Sequence, residues 1–277
     1  RADSCGRRVK GPFSYPLLLG ANPPQREFRS RPRRPQRDEM TLARATDVFV
    51  EAFSAGRSVV HPYRFVRHGS IWVMRDDPPR RRPRKSEVVV AGATPAEVVS
   101  VIASSDLGWH FVADIRPAES DSKEGDREYA ELGYRRLATE WVFSHDLRDI
   151  PESACEPPVR LISTAEELAA IPQRVAQPRK WRSDARQYAV WNGDRDYGWV
   201  MSRPTGADSW VEDLFVHADV RRRGFGRALM SRLLRDDRDA GIENSVLVAS
   251  TAGSHLYPQL GYRQLGVLRI YCPKDRA

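Results

Sequence analysis

A chain of 277 residues with 40% hydrophobic content can bury a core in each of two modest domains. The formal net charge of +8 invites a nucleic-acid reading, but residues 1–39 hold ten Arg or Lys against four acids, which is most of the surplus and leaves the remainder nearly neutral. Cys5, Cys155 and Cys272 lack paired or metal-ligand spacing and no apolar run approaches the ~20 residues of a membrane span, so disulfide frameworks, zinc sites and membrane insertion are excluded and a reducing, cytoplasmic setting is expected.

Residues 1–39, rich in Pro and Arg and without helical or strand periodicity, read as a disordered tail; synthesis starting at Met40 is one explanation for them. A helix is expected over Thr41–Ala55, with Ala45, Val48, Phe49, Ala52 and Phe53 on one face that covers a sheet. Strands are expected at His61–Arg67, Ile71–Met74 and Glu87–Val90. Thr94-Pro95-Ala96-Glu97 then opens a helix with Thr as N-cap, Pro in the first position and Glu three residues on. Trp109–Ile115 follows as a strand.

Tyr129-Ala130-Glu131-Leu132-Gly133-Tyr134-Arg135-Arg136-Leu137 returns as Tyr257-Pro258-Gln259-Leu260-Gly261-Tyr262-Arg263-Gln264-Leu265, each residue 128 positions after its counterpart and six of the nine identical. Both copies run into strand-like sequence, Thr139–Phe143 and Val267–Tyr271. A repeat of that length implies two copies of a whole domain, here residues 40–148 and 159–277, joined by a Pro- and acid-rich linker at 149–158.

The second copy begins with a strand at Val159–Ile162 and a capping box from Ser163 to Glu166. A hairpin is expected between Gln187–Trp191 and Tyr197–Ser202, then a core strand at Ser209–His217. After it comes Arg221-Arg222-Arg223-Gly224-Phe225-Gly226-Arg227, a basic glycine turn opening a helix in which Phe225, Leu229 and Leu233 share a face. Gly224 and Gly226 keep side chains away from the first N–H groups of that helix, a fit for a pyrophosphate. The spacing matches neither a dinucleotide fingerprint nor a nucleoside triphosphate loop. Asn244–Ser250 is the next strand.

The pattern Arg/Gln-x-x-Gly-x-Gly/Ala from Arg221 to Gly226, its preceding Val-Glu-Asp-Leu-Phe-Val strand, and Leu256-Tyr257-Pro258-Gln259-Leu260-Gly261-Tyr262 downstream resemble the GNAT superfamily of acyl-CoA N-acyltransferases. The resemblance implies an α/β (α+β) architecture of two tandem GNAT-like lobes, each a mixed, mostly antiparallel sheet flanked by helices. It implies acetyl-CoA as cosubstrate, held by Leu214, Phe215, Val216, Arg221, Arg222, Arg223, Gly224, Phe225, Gly226 and Arg227, with the strand bulge near Phe215 and Val216 presenting N–H groups to the thioester oxygen. Glu212 falls at the position of the general base, with Asp213 as the neighbouring choice, and Tyr257 at that of the acid. His217 reads as structural, and no metal is assigned.

The first copy's turn, Ala91-Gly92-Ala93-Thr94-Pro95, carries no arginine and is followed by Glu97, so that lobe reads as having lost coenzyme A and serving as support or as a wall of the acceptor site. The family's usual two helices before the second strand do not fit between Ser163 and Gln187, and the acceptor, a small-molecule or peptide amine, stays open. The expected activity is N-acetyl transfer by a monomer or homodimer; the alternative is an idle tandem protein that senses or binds coenzyme A.

Overall fold

The computed structural model describes residues 39–120, 122–172 and 180–274; almost all of the tail expected to be disordered lies outside them. The first half runs α1 (Leu42–Ser58), β1 (Tyr63–His68), β2 (Ile71–Asp76), β3 (Ser86–Ala91), α2 (Pro95–Ser104), β4 (His110–Pro117), α3 (Ser122–Glu131) and β5 (Tyr134–His145). The second runs β6 (Arg160–Ile162), α4 (Ala165–Ala170), β7 (Arg186–Asn192), β8 (Arg195–Thr205), β9 (Asp208–Val216), α5 (Phe225–Asp239), β10 (Asn244–Ala249), α6 (Thr251–Ser254) and β11 (Arg263–Pro273). Thr41 caps α1 by accepting from the Arg44 N–H, and the five apolar residues expected on its inner face are buried. The cap of α4 falls one residue later than the sequence implies. Thr164 accepts from Glu167 N and Glu167 accepts from Ser163 N, because α4 starts at Ala165 and only Glu167 then stands three positions into it.

The eleven strands of the described residues form one sheet in the order β1-β2-β3-β4-β11-β5-β10-β9-β8-β7-β6. Each half therefore lends its final strand to the other: β11 lies against β4, and β5 lies against β10. The two exchanged strands pair with each other antiparallel at the centre, where Glu140 faces Leu268. Those two residues are 128 positions apart, the spacing of the repeat. The register steps past Leu265 on one strand and Leu137 on the other, a second pair with that spacing, so the repeat is expressed as a local two-fold axis through the middle of the sheet.

Alternation of side chains along the strands builds a core on each face. On one face α1 packs Phe49 and Phe53 with Trp210, Val246 and Leu268; on the other α5 packs Phe225, Leu229 and Leu233 with Val211 and Leu247. Helix α1 belongs to the first half yet lies across the second: Phe49 meets Trp210 at 5.1 Å between ring centroids, Arg44 Nε donates to Asp208 at 2.8 Å, and the Arg182 guanidinium donates to the Gly56 carbonyl at 3.1 Å. Among the described residues no helix is long and apolar enough to cross a membrane.

Candidate active site

Strands β9 and β10 run parallel but stay paired only at Asn244–Val246 against Asp208–Trp210; beyond Trp210 they part. The gap is a cleft of about 990 Å³ whose walls include the ends of both strands, the turn before α5, and Tyr257. Against β8, β9 carries a bulge: Glu212 faces Met201 and Phe215 faces Trp199, so Asp213 and Leu214 together oppose Val200. Asp213 takes a left-handed backbone, φ 59°. The extra residue bends the strand and takes backbone groups out of the ladder. The bulge thus sits one to two residues before Phe215 and Val216, where the resemblance implied it; both of these keep regular partners, Trp199 and Gly198. Gly198 is required there, since a Cβ would stand 2.5 Å from the Phe215 carbonyl oxygen.

The turn after β9 opens α5 from Gly224, whose φ of 86° favours glycine, and no side chain caps the helix or places an acid in its first turn. Its first N–H groups are left for a ligand, with the positive end of the helix dipole behind them. Arg221, Arg222 and Arg227 join Gly224, Phe225 and Gly226 in the cleft wall. Arg221 Nε donates to the Val216 carbonyl at 3.0 Å and Arg227 donates to Gln259 at 3.0 Å, which ties the turn to both sides of the opening. Arg223 does not line the cleft; its guanidinium lies 5.8 Å from the Phe225 ring centroid.

The other end of the cleft is acidic. Glu212 reaches it, but its carboxylate accepts from the buried Arg203 at 2.8 Å and is held in that pair, which tells against the free proton acceptor implied by the resemblance. Asp213 meets solvent inside a concave setting walled by protein. Burial first, then the charge of Glu212, raises its pKa to about 7 against the pull of Arg182 and Arg203, and solvent entering the cleft tempers that rise. The third acid is Glu140, brought by the exchanged strand β5, and burial alone raises it to about 6. Sequence reasoning missed it. The available signal was the repeat itself, which sets a glutamate against Leu268 in the middle of a strand.

Tyr257 is buried beside Phe143 and Tyr262, and burial raises its phenol above the ordinary tyrosine value. Gly253 leaves room for its ring, a Cβ there standing 3.2 Å from Tyr257 Cε2. His217 is buried with its Nε2 3.0 Å from Asp196 Oδ1 and packs against Trp199 and Phe215. It does not line the cleft.

Residues 183–264 match the family model described as an acetyltransferase (GNAT) domain. No curated protein matches the sequence. Among solved structures, a GCN5-related N-acetyltransferase from Kribbella flavida is similar over 86% of this chain and 97% of its own, at 16% identity and a TM-score of 0.58. A second, from Sphaerobacter thermophilus, covers 73% of this chain and 76% of its own at 16% identity and a TM-score of 0.52. These likenesses are of fold, and the first spans both halves.

Proposed function

From a chain that carries an acetyltransferase (GNAT) domain over residues 183–264, we propose that the second half moves an acetyl group from acetyl-CoA to a primary amine by direct attack on the thioester. The observation that carries the reading is the parted pair β9 and β10 with the uncapped start of α5 at one end of the opening. A pyrophosphate there meets N–H groups, the helix dipole and the charges of Arg221, Arg222 and Arg227. The pantetheine arm then runs between the strands, and the thioester oxygen meets backbone donors at the Asp213–Leu214 bulge, where they also stabilise the oxyanion.

An ordinary alkylammonium has a pKa near ~10.4 and is mostly protonated at neutral pH, so a carboxylate at the acidic end takes one proton. The freed nitrogen attacks the carbonyl carbon, a C–N bond forms, and collapse of the tetrahedral oxyanion breaks the C–S bond. Tyr257 gives its proton to the departing thiolate. The surplus proton on nitrogen returns through solvent to the phenolate, and the carboxylate releases its own. Burial raises the phenol, but the same dry surroundings raise a thiol bound beside it, which keeps donor and acceptor matched.

Calorimetric titration with acetyl-CoA tests the reading. The wild type is expected to bind with micromolar affinity, and Arg222→Glu combined with Gly224→Glu to lose it, with Arg222→Glu alone, an exposed change, as the control for folding. Absence of binding by the wild type withdraws the enzyme in favour of an idle tandem protein.

A further inference from the structure

We propose that Glu140, delivered by the strand that the first half lends to the second, is the carboxylate that grips the acceptor's ammonium group and takes its proton, and that the acceptor is a primary amine on an apolar body. The inference rests on the acetyltransfer reading and names the acceptor end of that same cleft.

Placement comes first. The pairing of β5 with β10 ends at Trp141 and Ala249, so Glu140 is the first residue of β5 from which β10 has turned away. It stands in the cleft wall with Phe53 and Trp210. Its partner across β11 is Leu268, a member of the α1-side core, so Glu140 shares that face. The basic turn opens the helix that packs on the opposite face. An amine held at Glu140 therefore enters the cleft from the face opposite α5.

The state of the side chain comes second. Glu140 is 8% exposed, and among the described residues no hydrogen bond or ion pair reaches it. A sheltered carboxylate without a partner destabilises a fold. The position across the two-fold axis shows the residue that packing favours: Leu268 is 0% exposed in the equivalent place. A glutamate kept where its own counterpart is leucine points to a ligand that supplies the missing cation. Of the other acids in the cleft, Glu212 is held by Arg203 and Asp213 is open to solvent.

The surroundings define the acceptor. Phe53 and Trp210, each 6% exposed, give the wall they share with Glu140 an apolar surface, so an ammonium carried on an aromatic or aliphatic group buries apolar area in the cleft while its charge meets Glu140. In the reaction the proton passes from R–NH3+ to the Glu140 carboxylate and leaves the neutral amine that attacks.

The test uses 2-phenylethylamine as the probe, 2-phenylethanol as the uncharged control, and the full chain as wild type, Glu140→Gln, Glu140→Leu and Asp213→Asn. Wild type is expected to bind the amine more tightly than the alcohol. Both Glu140 variants are expected to lose at least tenfold in amine affinity and a hundredfold in acetylation, with acetyl-CoA affinity within twofold of wild type. Equal amine binding by wild type and Glu140→Gln, no amine binding by wild type, or a loss confined to Asp213→Asn overturns the proposal. Failure of wild type to bind acetyl-CoA overturns the underlying reading instead, while amine binding is still measured on its own.

Discussion

In the first half β3 and β4 stay paired from Ser86 and His110 to Ala91 and Ile115; in the second the corresponding strands β9 and β10 pair over three residues and then part. The helix after each first strand starts differently too. Thr94 accepts from Glu97 N while the Glu97 carboxylate accepts from Thr94 N and the Thr94 hydroxyl, so α2 has its own acid where a ligand anion would sit. Helix α5 starts from a left-handed glycine with no cap. The repeated tyrosine follows suit: Tyr129 is sealed in a stack with Tyr271 at 4.1 Å, whereas Tyr257 lines the cleft. One sheet thus carries a closed and an open version of a similar strand–turn–helix arrangement. The difference lies in strand pairing and in whether the chain caps its own helix.

The sharpest way to break this contrast is the tyrosine pair. Tyr257→Phe is expected to lower kcat about a hundredfold, the usual scale for loss of a general acid, while Tyr129→Phe leaves kcat unchanged. Equal effects measured under saturating acetyl-CoA would reduce Tyr257 to packing. Next comes Glu140. Burial moves it from 4.5 to about 6, so the folded state favours its protonated form. That contribution is full below the ordinary value and is lost as pH rises through about 6. At pH 8 the ionised carboxylate costs about 2 kcal/mol, and Glu140→Leu is expected to regain that amount there and much less at pH 5. Denaturant titrations at the two pH values decide it; equal gains would mean that the leucine acts by packing alone. The smallest effect belongs to Thr94→Ala, expected to cost about 1 kcal/mol of stability through loss of the cap and to leave one acetyl-CoA bound per chain. A second bound molecule in calorimetry would show the first half to be open after all.

The helix face of α5, the Thr94–Glu97 cap and the glycine turn at 221–227 were legible because each depends on residues close in sequence. The repeat of Tyr129–Leu137 in Tyr257–Leu265 was legible as an internal repeat, and in the sheet its two segments flank the local axis at Glu140 and Leu268. Which strand pairs with which was not legible, since β11 meets β4 across some 150 residues and the strands of both halves carry similar apolar patterns. That exchange hid Glu140, and the crossing of α1 over the second half hid Phe53, for both belong to the first half by sequence and line the second half's cleft. The bulge was displaced for a related reason: the pairing of β8 with β9 sets it, and the residues 213–216 read alone do not.

The exchange of β5 and β11 also dictates the order in which the molecule can be completed. Strand β11 is the last described element of the chain and it enters the middle of the sheet, between β4 and β5, both made more than a hundred residues earlier. A ribosome emitting this chain in order leaves a slot at the centre until β11 emerges. Until then neither half has its full complement of neighbours, and a product stopped before Arg263 lacks the strand that joins β4 to β5. Glu140 faces that slot across from Leu268, so the wall of the cleft is finished by the same late event that closes the sheet.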